Sequence, residues 1–214
     1  MSKEDNKDRI IACSTVLCFI FFFALLFLGS YLQIYVRDNC SSLYQLMLSQ
    51  SLPLFQLSSI KIDIFGFCIP FAVSIIFAIL AYRFRPSFPK LITLLFILGI
   101  LLSAVLPTYI PILQYVQINV GAGINWATIF VIILYIFYIN HKGTYKFNCL
   151  ISYPLGFIIG AISDISGLLR LSSSATFGGA GIVDGDFMFP IFLFFSVTIS
   201  SLIIKYWTHR TMQK

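Results

Sequence analysis

Six long apolar runs, separated by short polar breaks, set the pattern of this chain. The first extends from about Ile10 to Tyr35, enough to cross a bilayer with tilt. The second, about Ile62 to Tyr82, ends at the loop RFRPSFPK, whose two prolines stop a helix. A third runs from Leu91 to about Leu106, where Pro107 and Pro111 are expected to break it, leaving an uncharged connector through Gln117. The fourth covers about Asn119 to Ile139, and the fifth about Leu150 to Leu169. The sixth follows a Ser/Gly-rich stretch at 172–181 and reaches about Tyr206. Residues 37–61 fit neither class, because leucines, Tyr44 and Phe55 alternate there with Ser and Gln. Two readings stay open: an interfacial or re-entrant segment broken at Pro53, or a lid on the outer helix ends.

The composition agrees with this pattern: 59% hydrophobic, 10% charged and 23 phenylalanines, with a mean hydropathy of +0.94. Soluble domains carry about a quarter charged residues. The expectation is an all-α membrane protein of about six transmembrane helices, with no room for a separate soluble domain. Residues 1–90 would form an N-terminal helical hairpin carrying the outer segment 37–61, and residues 91–214 a four-helix core. The first run is longer than a signal-peptide core and shows no small-residue cleavage site, so it reads as a retained span.

Charge placement orients the helices. With the N-terminus inside, eleven of the 14 lysines and arginines fall on inner segments; only Arg37, Lys61 and Arg170 fall outside. This bias selects six spans with both termini cytoplasmic, in a multi-pass protein of the cell membrane. It also accounts for the net charge of +6 without a nucleic-acid partner, since the partner implied is the lipid bilayer. His141 and His209 read as interface residues, and Tyr206 with Trp207 as an aromatic anchor. The five cysteines give no disulfide framework and no metal-ligand spacing, so they read as small core residues. No cofactor is expected.

The candidate chemistry lies in FGGAGIVDGDF, residues 177–187, with Asp164 before it. Ionisable groups at membrane depth are costly and mark sites. Asp164 and Asp184 face each other across a short connection between the last two spans. Two carboxyls together in low dielectric share a proton, one serving as acid and one as base. Asn119, Asn125, Gly179, Gly181 and Gly185 are expected to support them, Gly156 and Gly160 to form a G-x-x-x-G packing face, and Asp186 to be solvated. The tetrapeptide GAGI occurs at Gly121 and again at Gly179, an offset of 58. It suggests parallel repeats of helical hairpins, 91–140 and 149–198.

An aspartate in one helix and a glycine-flanked aspartate opening the next resembles the presenilin and prepilin-peptidase class of intramembrane aspartyl proteases. The Gly-x-Gly-Asp of that class is departed from here, since two residues separate Gly181 from Asp184. The glycine pair after Asn119, the element Gly160-x-x-x-Asp164 and the element GGAG-x-x-D-G at Gly178 to Gly185 are similar to an uncharacterised, largely archaeal family of prokaryotic membrane proteins. That likeness implies the segmentation and the importance of Asp164 and Asp184, and no activity.

Three functions stay open. One is an aspartyl protease-like enzyme acting through Asp164 and Asp184 on a membrane-protein or peptide substrate. Another is a small proton- or cation-coupled transporter, expected to work as a homo-oligomer, with Asp184 and Asp186 as hard oxygen ligands for a metal. The last is a structural subunit or assembly factor whose aspartates cap helix ends. No Ser-His-Asp, HExxH, CxxC or Walker pattern is present, which leaves soluble-type hydrolase, redox and nucleotide chemistry without support.

Overall fold

The computed structural model describes residues 3–40, 42, 53–57, 60–109, 116–117, 123–171, 175–179 and 184–212. Its helices are α1 (Lys3–Asn39), α2 (Ile69–Tyr82, entered through a π-helical turn at Ile64–Cys68), α3 (Lys90–Tyr109), α4 (Trp126–Lys142), α5 (Tyr145–Leu171) and α6 (Gly185–Met212). Among the described residues, four helical stretches are long and apolar enough to cross a membrane: Lys7–Gly29, Ile64–Tyr82, Tyr145–Ser166 and Gly185–Trp207. Lys90–Val105 and Trp126–Lys142 are apolar but shorter.

The helices alternate in direction. Ser200 Oγ near the end of α6 donates to the Ser14 carbonyl near the start of α1, at 2.8 Å. Asn140 at the end of α4 donates to Thr15 Oγ1 at 3.0 Å. This is the terminal end of the bundle; the opposite one is the far end. The most extensive packing joins α5 to α6, while α1 leans on α6 and α2 on α5. The first two helices are thus attached separately to the later ones.

The core is a helical stripe problem solved by shape. On α4, Ile129, Ile132, Ile136 and Ile139 recur at three- and four-residue spacing and are fully buried. They meet Phe22 and Leu26 of α1, Leu155 and Ile159 of α5, and Phe189, Leu193 and Val197 of α6. The other faces stay bare: Leu91, Leu94, Leu98 and Leu101 of α3, and Ile75, Ile76 and Ile79 of α2, are exposed. A soluble protein rarely shows such continuous apolar surface, whereas hydrocarbon chains cover it without cost.

The expected all-helical architecture holds for the bundle, and short strands join it at the far end. Strands β1 (Pro53–Leu57) and β2 (Ile60–Asp63) pair antiparallel, and β5 (Ala175–Phe177) adds in parallel to β2. Two further short strands, β3 (Val116–Gln117) and β4 (Gly123–Ile124), pair antiparallel. Part of the 37–61 segment is therefore a β-hairpin, while 41, 43–52 and 58–59 lie outside the described residues. Pro107 does not end α3, which runs on to Tyr109. Pro111 and the rest of that connector up to Tyr115 lie outside the described residues. Not all cysteines are core residues either, since Cys13 and Cys40 are exposed.

Candidate functional site

Spacing puts Gly156, Gly160 and Asp164 on one face of α5, four residues apart. The two glycines let α6 come close. A Cβ at Gly156 would lie 2.5 Å from the Pro190 Cα. One at Gly160 would lie 2.8 Å from the Asp186 Cα and collide with Asp186 Oδ1. The start of α6 thus occupies the space that a side chain at 160 would fill, and the acid of its first turn points there.

Asp184 opens α6. Its carbonyl accepts from the Phe187 and Met188 amides at 3.2 and 2.9 Å, and its Oδ1 accepts from the Asp186 amide at 3.0 Å. That is an N-cap arrangement, in which a short acid satisfies an orphan amide and faces the positive end of the helix dipole. Asp164 stands one turn beyond Gly160 on α5, and its Oδ2 accepts from the Gly178 amide at 3.3 Å. Gly178 holds φ +69, the left-handed region, and its backbone packs directly on Gly66 of the π-helical turn. Asp63 Oδ1 accepts from the Gly66 amide at 2.7 Å and fixes that turn in place. An aromatic group pins the arrangement from the side: the Phe67 ring lies 5.3 Å from Phe157 of α5 and 5.5 Å from Phe177 of β5.

The three acids converge. One carboxylate oxygen from each of Asp164, Asp184 and Asp186 lies within 4.8 Å of the other two. Asp186 is 0% exposed, Asp184 is 4% exposed and Asp164 is half-buried. The expectation of a solvated Asp186 is therefore corrected: the missing side chain at 160 leaves room for its carboxylate inside the bundle. Neither Asp186 oxygen receives a hydrogen bond from a described donor. The Asp164 carboxyl lies within hydrogen-bonding reach, but two carboxylates bond only if one brings a proton. A buried carboxylate without compensation costs far more than a helix contact returns. A cluster like this one calls for protons or a cation.

No protein-family model matches the chain, and no curated protein or solved structure matches it either. The site therefore stands on the chain's own residues.

Of the supporting residues, Asn125 is fully buried and caps α4, accepting from the Thr128 amide at 3.2 Å. Its side-chain amide donates to the Ser103 carbonyl of α3 at 2.7 Å and to Ser166 Oγ of α5 at 2.8 Å. Its backbone amide donates to Ser163 Oγ at 3.2 Å. Asn125 thus ties three helices together beside the acids. Gly185 is buried in the first turn of α6 and Gly179 is exposed in the turn after β5. Asn119, Gly121 and Gly181 lie outside the described residues. Shifted by the 58-residue offset, Trp126 falls on Asp184, one residue ahead of the start of α6. The sequence reading missed Ser103, Thr128, Ser163, Ser166 and Asp63. Ser163 and Ser166, three apart and flanking Asp164, carried a readable signal: hydroxyls on a helix face near an intramembrane acid.

Proposed function

We propose that this is a six-span membrane protein with both chain ends in the cytoplasm, acting as a small cation-coupled carrier whose Asp164, Asp184 and Asp186 hold one hard divalent cation. The observation carrying this reading is the Asp186 carboxylate, wholly buried, without a donor among the described residues and gathered with two other acids. Three carboxylate oxygens suit Mg²⁺, Ca²⁺ or Mn²⁺ and ill suit softer metals. The helix dipole of α6 and the Gly178 amide offset part of the charge, and the cation supplies the rest. The two shorter helices, of 16 and 17 apolar residues, span about 25 Å at 1.5 Å per residue, within reach of a locally thinned bilayer. The lysine and arginine bias supports the orientation, which puts the acids towards the outer face.

Titration of the purified protein with Mn²⁺, followed by the electron paramagnetic resonance of the free ion, tests the site. One ion per chain is expected, weakened at least about tenfold in Asp164→Asn, Asp184→Asn and Asp186→Asn. Vesicles containing the protein should take up Mn²⁺, and the same variants should lose that uptake. No saturable binding by the wild type would sink the reading.

A second reading is favoured by one distance relation. Asp164 and Asp186 lie within hydrogen-bonding reach, so the acid–base pair of an aspartyl protease would use Asp186 in place of Asp184. It predicts cleavage of a membrane-embedded peptide that survives Asp184→Asn and vanishes with Asp164→Asn or Asp186→Asn. The carrier reading needs all three.

A further inference from the structure

The terminal end carries a second site of opposite character. A cleft of about 380 Å³ opens between the start of α1, the end of α4, the start of α5 and the end of α6. Lys7 and Lys205 bring positive charge to it, His141 brings an imidazole, and Asn140, Asn148 and Ser201 bring buried polar groups. Its floor is fixed. The Asn140 and Asn148 side-chain amides meet at 3.1 Å, and Asn140 also binds Thr15.

Two polar atoms in this lining are left over. His141 Nδ1 faces Asp8 Oδ1 at 3.6 Å, which orients the ring, while Nε2 is buried without a partner among the described residues. Ser201 Oγ is buried with only the Cys149 thiol, a weak partner, beside it. Buried polar atoms are ordinarily satisfied, so leftover ones in a cationic cleft point to a ligand. Lys205 Nζ stands 5.5 Å above the Tyr145 ring, held by a cation–π contact and free to lean towards an anion. The exposed Lys7 of α1 lines the same cleft.

We infer that this cleft binds an anionic phosphate group, with the Lys7 and Lys205 ammonium groups as counter-charges, Ser201 Oγ as a donor, and His141 Nε2 as a donor in the imidazolium form that Asp8 would support. Basic clefts between helices at a membrane face recognise lipid headgroups through this chemistry, and a free phosphate would use the same contacts.

Thermal unfolding of the full chain in phosphatidylcholine nanodiscs tests it. Wild type should gain about 4 °C or more with about 20 mol% phosphatidylglycerol in the disc if the phosphate belongs to a lipid. The same gain from inorganic phosphate in pure phosphatidylcholine discs would assign a free anion instead. The pair Lys7→Gln and Lys205→Gln should lose most of the shift. The pair Arg85→Gln and Lys90→Gln, which removes equal charge at the same end outside the cleft, should keep it. No shift with either phosphate source, or equal loss in the two pairs, overturns the inference. Retention of phosphatidylglycerol on the protein in native mass spectrometry, read for the same variants, keeps the test decisive if a pair unfolds early.

Discussion

The two ends of the bundle are both polar, and they are polar in different ways. At the terminal end, amides and hydroxyls mostly satisfy each other: Asn140 with Thr15 and Asn148, and Ser200 with the Ser14 carbonyl. Such bonds between membrane helices are worth about 0.6 kcal/mol on average, because the separated helices also find partners. At the far end, hydroxyls and Asn125 tie α3, α4 and α5 together, but the Asp186 carboxylate beside them receives no hydrogen bond from a described donor. One end is mainly glue. The other gathers acids that packing does not explain.

The largest effect should come from the glycines that bring the acids together. Gly156→Leu forces side-chain atoms into the Pro190 backbone, and no folded protein is expected in detergent by size-exclusion chromatography. Gly160→Ala is the sharper version, since it displaces the Asp186 carboxylate; it should abolish Mn²⁺ binding and cost about 1–3 kcal/mol. A Gly160→Ala protein that binds Mn²⁺ normally would show that Asp186 is not in the site.

Next in size is a change of opposite signs. Asp186→Asn removes a buried acid whose ionisation the neighbouring Asp164 and Asp184 oppose, so the cation-free protein should become more stable near neutral pH while binding is lost. Each kcal/mol of repulsion relieved raises the melting temperature by roughly 2–4 °C for a chain of this length. A fall instead would mean that Asp186 serves the fold. No single substitution at the terminal end should show this trade, because its polar groups are neutral or at the rim.

Smaller effects rank the glue. Asn125→Ala removes a helix cap and two interhelical bonds and should cost about 1–2 kcal/mol in a denaturant titration. Asn140→Ala should cost about 1 kcal/mol or less. Ser200→Ala, with a single bond to a carbonyl, should fall near 0.6 kcal/mol. If Asn140→Ala proves the most damaging of these, the terminal end is the keystone and the comparison reverses.

Much of this was legible from residue order. Apolar run lengths announced the membrane helices, and Gly156 with Gly160 announced a close helix crossing that the contacts with Phe189, Pro190 and Asp186 bear out. Asp164 and Asp184 stood out because acids are rare in hydrocarbon. Asp186 was misjudged because its neighbours Gly185 and Asp184 look like loop residues. Its burial depends on a gap left by Gly160, 26 positions earlier. The terminal cleft was invisible for the same reason: Lys7, Asn140, Asn148 and Lys205 are scattered over the chain and read one by one as flanking charges or helix polar residues.

Sequence alone determined that this chain seeks hydrocarbon, roughly where its helices fall and that Asp164 and Asp184 are anomalous, because hydrophobicity and helix length are local quantities. Only the folded bundle decided which acids share a space, which amides are satisfied and where two lysines from opposite ends of the chain meet. Those outcomes depend on which helix faces touch, and a few glycines that permit backbones to approach settle that across distances no local pattern encodes.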